Sequence, residues 1–335
     1  MNITSSFSIS KGVICINVLV TSISKKIPML QAVQQAMLKM DSSMALIGAD
    51  VNPNCIGRYF VHEFWEMPSL KEVAIEEFIL VCKKKNIRFI IPTRDGELLY
   101  FSFHRRLFEE HGISVMVSEP EAIKTCLDKL RFYKVLTEKG FPAIPTTLSA
   151  QELKCNNYVV KERYGAGARS IGINLSGEEA VLHAKKLEAP IFQPFIQGIE
   201  ISVDLYVTRT GDVKGVVART RDNVVNGESQ VTTTIKNEKL ERMCGDIAKC
   251  LKLYGHIVMQ VIMDNKGDFH IIECNSRFGG ASTLSIEVGL DSFYWFFLES
   301  QGENLDDYPF IRSETEKRQI RYPTNLIIDI GEEEV

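Results

Sequence analysis

Short β-branched runs alternate with helix-period stretches over the first 118 or so residues, in the order expected for parallel strands joined by right-handed crossovers. Strands are predicted at Val13–Val20, Met44–Ile47, Ile87–Ile91 and Ile113–Val117. Helices are predicted at Pro28–Lys39, at Leu70–Lys85, where Leu70, Ala74, Phe78 and Val81 form an apolar stripe, and at Gly96–His111. This is a doubly wound parallel α/β unit. The links Thr21-Ser22, Asp50-Val51-Asn52 and Pro92-Thr93-Arg94-Asp95-Gly96-Glu97 follow strand carboxyl ends, where open α/β sheets take ligands.

From Glu119 the pattern changes. A helix pair runs to Gly140, and Gly140-Phe141-Pro142-Ala143-Ile144-Pro145 then forces an extended linker. Strands follow at Tyr158–Lys161, Ser170–Asn174, Phe192–Phe195, Ile199–Val207 and Val213–Arg219, with a helix near Gly177–Leu187. A long polar loop leads to a helix at Glu238–Leu253, a hairpin from Gly255 to Cys274 and two short helices between Ala281 and Ser300. Antiparallel strands dominate, so this half is α+β. The expected division is 1–118, 119–196 and 197–335. Residues 1–11 read as a loose arm or an extra edge element, and the acidic end Gly331-Glu332-Glu333-Glu334 as solvated.

At 335 residues the chain exceeds what a single core fills efficiently, in keeping with several sub-domains. A formal net charge of −4 gives no electrostatic reason for a nucleic-acid or anionic-membrane partner. The eight cysteines (Cys15, Cys55, Cys82, Cys126, Cys155, Cys244, Cys250 and Cys274) form no CxxC pair, and the expected location is a reducing compartment, the cytoplasm. The apolar run Gly12–Val20 is too short to span a bilayer and reads as a buried strand. After it, Val20-Thr21-Ser22-Ile23-Ser24-Lys25-Lys26 lacks the glycines that bring a backbone close to a pyrophosphate, which removes the main support for a nicotinamide or flavin enzyme.

The strongest constellation is the hairpin Ile257-Val258-Met259-Gln260-Val261-Ile262-Met263 … His270-Ile271-Ile272-Glu273-Cys274-Asn275-Ser276-Arg277. Gln260 is the only polar residue in its apolar strand, where an unpartnered amide costs about 1–3 kcal/mol. Strand alternation puts Glu273, Asn275 and Arg277 on one side, and a turn centred on Lys266-Gly267 sets Gln260 opposite Glu273. Three oxygen donors beside a guanidinium suit Mg²⁺ and a phosphate. A buried Gln–Glu pair with a surface arginine is the other reading.

Two further segments carry candidate chemistry. Lys161 ends a strand just before Glu162-Arg163-Tyr164-Gly165-Ala166-Gly167-Ala168-Arg169-Ser170-Ile171-Gly172, where glycines let N–H groups face phosphate oxygens; a simple glycine-rich turn is the alternative. Gln193-Pro194-Phe195-Ile196-Gln197-Gly198-Ile199-Glu200 joins two strand groups. Its backbone suits an adenine edge and Glu200 suits ribose hydroxyls, although a strand crossover explains it equally well.

Taken in order, Asp128-Lys129, the Lys161 glycine loop, Gln193-Pro194-Phe195-Ile196 with Glu200, and Gln260…Glu273-Cys274-Asn275-Ser276-Arg277 resemble the ATP-grasp superfamily over about 300 residues, most closely its carbamoyl-phosphate-synthetase-like branch. The pattern Asp-Lys-x-x-Phe/Tyr near Asp128, followed by Gly-Phe-Pro-Ala-Ile-Pro, is similar to that family's entry into its nucleotide-binding region. The resemblance implies an α/β pre-ATP-grasp domain followed by a two-lobed ATP-grasp module that clamps ATP. It places Lys129, Lys161, Gly165, Gly167, Ser170, Gln193, Pro194, Phe195, Ile196 and Glu200 on the nucleotide. Gln260, Glu273 and Asn275 hold Mg²⁺, or Mn²⁺ in its place, and Arg277, Lys161 and Arg221 carry the phosphoryl chemistry.

The implied reaction is ATP-dependent ligation of a small-molecule carboxylate to an amine, with no nucleic-acid or membrane partner and with a homodimer allowed. Many family members carry carboxylates where this chain has Gln260 and an acid where it has Gln193, so a nucleotide-binding regulatory or degenerate protein is the alternative. No second synthetase half or glutaminase-like segment is read in the sequence, which favours a small biosynthetic ligase. Arg219-Thr220-Arg221 and Glu228 face either the acyl phosphate or solvent. Thr93, Arg94, Asp95 and Glu97 are candidates for shaping the acceptor pocket.

Overall fold

The computed structural model describes residues 16–165 and 170–328. The chain divides into two compact units, one ending at Val117 and regaining residues 293–305, the other holding 118–292 and 306 onward. Residues 1–11, the start of the strand expected from Val13 and the acidic end lie outside the described residues.

In the first unit, β1 (Asn17–Thr21), β2 (Leu46–Asp50), β3 (Glu63–Glu66), β4 (Ile87–Ile91) and β5 (Ser114–Val115) form one sheet in the order β3-β2-β1-β4-β5. All four pairings are parallel. Val18, Leu19 and Val20 of central β1 are fully buried, as a strand covered on both faces requires. The covering helices include α1 (Ile27–Met40), α2 (Ile75–Lys84) and α3 (Asp95–Glu110).

β3 is absent from the sequence expectation because Glu63-Phe64-Trp65-Glu66 is a half-exposed edge strand with no apolar run. α2 starts later than expected because the chain first makes a separate turn, in which the Glu72 and Val73 N–H groups donate to the Ser69 carbonyl. The helix Ser292–Ser300, expected in chain order beside the second lobe, contributes residues 293–300 to the first unit, where Phe296 and Phe297 pack on Phe89 at ring separations of 5.9 and 4.9 Å.

The second unit opens with α4 (Pro120–Leu127) and α5 (Lys129–Glu138). Gly140, at φ +78°, ends the pair in a left-handed conformation that glycine adopts without strain. The linker beyond it is pinned at both ends: the Ile144 N–H donates to the Ile271 carbonyl, and Thr147 and Phe192 exchange backbone bonds. A small antiparallel sheet follows in the order β7-β6-β8, built from β6 (Tyr158–Glu162), β7 (Gly172–Leu175) and β8 (Pro190–Pro194), with α6 (Gly177–Ala184) against it.

The large sheet comprises β9 (Gly198–Val207), β10 (Val213–Val225), β11 (Glu228–Ile235), β12 (Gly255–Asp264), β13 (Phe269–Asn275) and β14 (Arg318–Ile320), in the order β13-β12-β9-β10-β11-β14. Helix α7 (Glu238–Cys250) and the short α8 (Thr283–Glu287) complete this unit. In place of the expected long polar loop, β10 continues to Val225 and turns at Asn226-Gly227 into β11, with Val225 paired to Glu228. Both turn residues have positive φ, 51° and 77°, the geometry that makes Asn-Gly the preferred two-residue hairpin turn.

One face of the large sheet is apolar and the other polar. Ile201, Val203 and Leu205 of β9 join Ile257, Met259 and Val261 of β12 in a core shared with residues of α4, α5 and α7. The intervening positions carry the chemistry.

Candidate functional site

The polar face follows from register. Glu273 pairs with Gln260, Gln260 with Ser202, and Ser202 with Arg219, so these four side chains form one row across β13, β12, β9 and β10. The next row holds Asn275, Val258 and Asp204. The expected juxtaposition of Gln260 and Glu273 is therefore present. Asn275 Nδ2 donates to Glu273 Oε1 at 3.3 Å, and Arg277 Nη2 donates to Asn275 Oδ1 at 3.3 Å.

Cations surround that carboxylate. Lys129 Nζ donates to the Gly165 carbonyl at 2.8 Å and stands 4.0 Å from Glu273 Oε2. Lys161, on β6, is 9% exposed, and burial pulls its pKa down to about 8. Glu273 and Glu200 oppose that shift and the Lys129 ammonium reinforces it. Arg221 Nε donates to Glu200 Oε2 at 3.1 Å and its Nη2 to the Gly227 carbonyl at 3.1 Å. Four cations, Lys129, Lys161, Arg221 and Arg277, thus stand with two carboxylates, Glu200 and Glu273. The positive surplus suits a polyphosphate.

The base of the glycine-rich segment is anchored. Asp128 caps α5, accepting from the Leu130 and Arg131 N–H groups, and takes a bidentate pair from Arg163 at 2.7 and 2.6 Å. Burial alone would raise the Asp128 carboxyl; Arg163 and the helix N–H groups outweigh it and hold it below the ordinary range. Gly165 has φ +100°, a conformation open to glycine, and its carbonyl is the one Lys129 holds. Gly167 lies outside the described residues. Ser170 is exposed and its carbonyl accepts from His183 Nε2 at 2.8 Å, so β7 begins two residues later than expected.

The connecting segment is more internally committed than its sequence suggests. Gln193 is buried and its Nε2 donates to Thr146 Oγ1 at 2.8 Å. Pro194 ends β8, and the Phe195 N–H donates to the Asn157 carbonyl at 2.9 Å, which leaves that donor unavailable to an adenine. Ile196 lies between the two sheets in chain order, just ahead of β9.

Two residues whose orientation the sequence left open are settled. Arg219 is buried against Asp204, with Nε 2.7 Å from Oδ2, and Glu228 pairs with Arg321 at 2.5 Å. In the first unit, Glu97 is fully buried and accepts from Thr21 Oγ1, Ser22 Oγ and the Thr93 and Arg94 N–H groups at 2.6–2.9 Å. It ties the loops at the sheet's carboxyl edge together, a structural role rather than the acceptor contact considered from sequence.

Ser202 and Asp204 were missed by sequence reasoning. Their signal was the strict alternation Glu200-Ile201-Ser202-Val203-Asp204, which sets three polar side chains on one face of a strand whose other face is core. Ser202 Oγ is buried without a hydrogen-bond partner.

The described residues contain no group of three His, Cys, Asp or Glu placed to hold a metal. The donors that are present, one Glu273 carboxylate and the side-chain oxygens of Gln260 and Asn275, instead fit Mg²⁺, which takes one or two carboxylates and completes its shell with water and phosphate. Gln260's amide takes no hydrogen bond from the described protein, which leaves its oxygen available.

A nucleotide-clamping fold of two antiparallel sheets, with lysines on one side and an acid–amide–arginine set on the other, defines an ATP-grasp architecture. The chain carries an ATP-grasp domain, matched by residues 126–281, preceded by a PylC-like N-terminal domain, matched by residues 18–116. It is 21% identical over 255 residues to the carbamoyl phosphate synthase large chain of Pyrococcus furiosus, an alignment covering 65% of this chain and 24% of that one. The chain therefore spans about a quarter of that relative's length. Among solved structures, the biotin carboxylase domain of the Hydrogenobacter thermophilus 2-oxoglutarate carboxylase, in complex with MgADP, ADP and bicarbonate, gives a TM-score of 0.72 at 20% identity, covering 90% of this chain and 73% of that one. The Staphylococcus aureus N5-carboxyaminoimidazole synthetase complexed with ADP gives 0.68 at 15% identity, covering 86% and 78%.

Proposed function

We propose that this protein is an ATP-dependent ligase that activates a carboxylate as an acyl phosphate for attack by an amine, releasing ADP and phosphate. The observation that carries this reading is the single polar face on which Glu273, Gln260, Asn275 and Arg277 gather, with Lys129 4.0 Å from Glu273. In this reading Lys129 and Lys161 bind the phosphates, Glu200 the ribose, and Gly165 and Ser170 stand beside the tail. Gln260, Glu273 and Asn275 hold Mg²⁺, which supplies charge neutralisation to the polyphosphate.

A substrate carboxylate oxygen attacks the γ-phosphorus, the bond to the β-phosphate oxygen breaks, and ADP leaves with its electrons. Arg277 and Arg221 steady the equatorial oxygens of the transferred group. The amine then attacks the acyl carbon, phosphate departs, and the amine loses a proton. Positioning and charge neutralisation carry most of the acceleration in such transfers.

The test is a purified-protein screen for acceptor-stimulated ADP release. The panel pairs amino acids and other carboxylates, bicarbonate included, with amines. The similarity to a bicarbonate-bound carboxylase domain is the reason for that last arm. ADP formation with a defined pair supports the ligase; Mg-dependent ATP binding without turnover on any pair supports a regulatory protein instead. The single carboxylate in the metal set and Gln193's commitment to Thr146 favour that second reading.

Lys161 makes the nucleotide step pH-dependent. Its ammonium is favoured by bound phosphates, so binding raises its pKa above the value of about 8 in the free protein. Between those two values binding takes up a proton, and affinity for MgATP is expected to fall by up to about tenfold per pH unit above pH 8. Calorimetric titrations at pH 7 and pH 9 check this, with Lys161→Arg expected to flatten the profile.

None of the helices among the described residues is long and apolar enough to cross a membrane, and the described cysteines are all free thiols. These features support a cytoplasmic setting. A homodimer is part of the proposal, and sedimentation of the full chain tests it.

A further inference from the structure

We propose that Asp204 is a positioning residue that acts through the Arg277 loop, a role that rests on the ligase reading above. Asp204 is 0% exposed and lies in the polar face, one row from Gln260 and Glu273. Five groups converge on its two oxygens or stand one bond beyond. Arg219 Nε donates to Oδ2 at 2.7 Å, Ser285 Oγ donates to Oδ2 at 2.8 Å, Ser282 Oγ donates to Oδ1, and His256 Nε2 lies 3.2 Å from Oδ1. The other imidazole nitrogen meets Ser292 Oγ at 2.7 Å.

The partners are not scattered. Ser282 and Ser285 stand at the start of α8, within eight residues of Arg277. Ser282 Oγ also accepts from the Gly279 N–H at 3.1 Å, so one hydroxyl joins Asp204 to the second residue after Arg277. The residue between them, Phe278, is buried with its ring 4.6 Å from that of His256. Both residues that follow Arg277 are therefore held by Asp204's own partners. A Cβ at Gly279 would stand 2.8 Å from Ser282 Oγ and 3.2 Å from Val258 Cγ2, so this turn fits only a glycine without adjustment.

Burial would raise the Asp204 carboxyl; the Arg219 guanidinium and His256 outweigh it and hold it ionised, well below the usual range. A permanent buried anion that collects hydroxyls from α8 specifies one arrangement of the turn, which an apolar core would not. That arrangement sends Arg277 back onto Asn275.

Removing Asp204 itself risks unfolding, so the test uses Ser282→Ala in the full chain. If Ser282 relays Asp204 to Arg277, Ser282→Ala lowers kcat about tenfold and leaves KM for MgATP unchanged. The same change made on Arg277→Ala then has no further effect. An equal fall in both backgrounds, or none in either, overturns the proposal. Hydrogen exchange supplies a readout that needs no turnover. Ser282→Ala should speed exchange in the peptide 276–282 while β9 and β12 keep parental protection. Parental exchange in that peptide overturns the positioning role, whereas a wild-type chain without acceptor-dependent turnover overturns only the ligase reading.

Discussion

Glu273→Gln is expected to lower acceptor-dependent ADP release by about 10²–10³-fold, the loss seen when a preorganised charged or hydrogen-bonding group is removed from a reacting phosphoryl or acyl centre. The substitution preserves shape and the Gln260 register pairing, and it removes only the charge. Two consequences separate this from misfolding. Lys129, 4.0 Å away, and buried Lys161 lose their nearest neutralising carboxylate, so metal-free ATP should bind at least as well as in the parent. The response of ATP binding to Mg²⁺ should weaken, because the remaining donors are amides. Steady-state turnover combined with magnesium titrations of ATP affinity reads both; parental turnover in the variant would remove Glu273 from the reaction.

Asp204→Ala should carry the largest cost in stability, about 3–5 kcal/mol, since breaking a buried pair strands the opposite charge. Arg219 is 3% exposed at its side chain and pairs with no other carboxylate among the described residues; its remaining side-chain bond is to Thr232 Oγ1 at 3.4 Å. In a unit of this size the loss corresponds to a drop in Tm on the order of 10 °C. The sign with pH is set by a carboxyl whose folded pKa is lowered. Its stabilisation is complete above the ordinary unfolded value of about 4 and is lost as pH falls through the lower folded value. Thermal unfolding at pH 7 and pH 3 should therefore show a larger gap between parent and variant at pH 7. A variant within error of the parent at pH 7 would refute the account.

Much of the fold was legible because burial on both faces leaves an unambiguous trace. β4 was read at Ile87–Ile91, the bounds it has in the structure, since a central parallel strand is a continuous apolar run. The pairing of Gln260 with Glu273 was expected from a turn centred on Lys266-Gly267, but the structure reaches it differently: the strands leave the turn with Met263 opposite Phe269 and Val261 opposite Ile271, and a bulge between Gln260 and Val261 then brings Gln260 opposite Glu273. β3 and β11 were not legible, because an edge strand and a strand whose outer face is polar lack a continuous apolar run. For β11, the Asn226-Gly227 signal was in the sequence and went unused.

What the sequence by itself determined is which residue types stand at which spacing: the alternation that divides the large sheet into a core face and a polar face, the lysine before the glycine loop, and the acid–amide–arginine run after β12. These depend on neighbours a few positions apart, and strand periodicity transmits them directly. Tertiary structure alone decided which of those polar groups are spent internally. Arg219 goes to Asp204, Gln193 to Thr146 and Glu97 to the loops of the first sheet, while Glu273 and Gln260 keep oxygens available. Those outcomes turn on partners 15 to 76 positions away, whose approach is set by sheet order and strand register rather than by any local pattern.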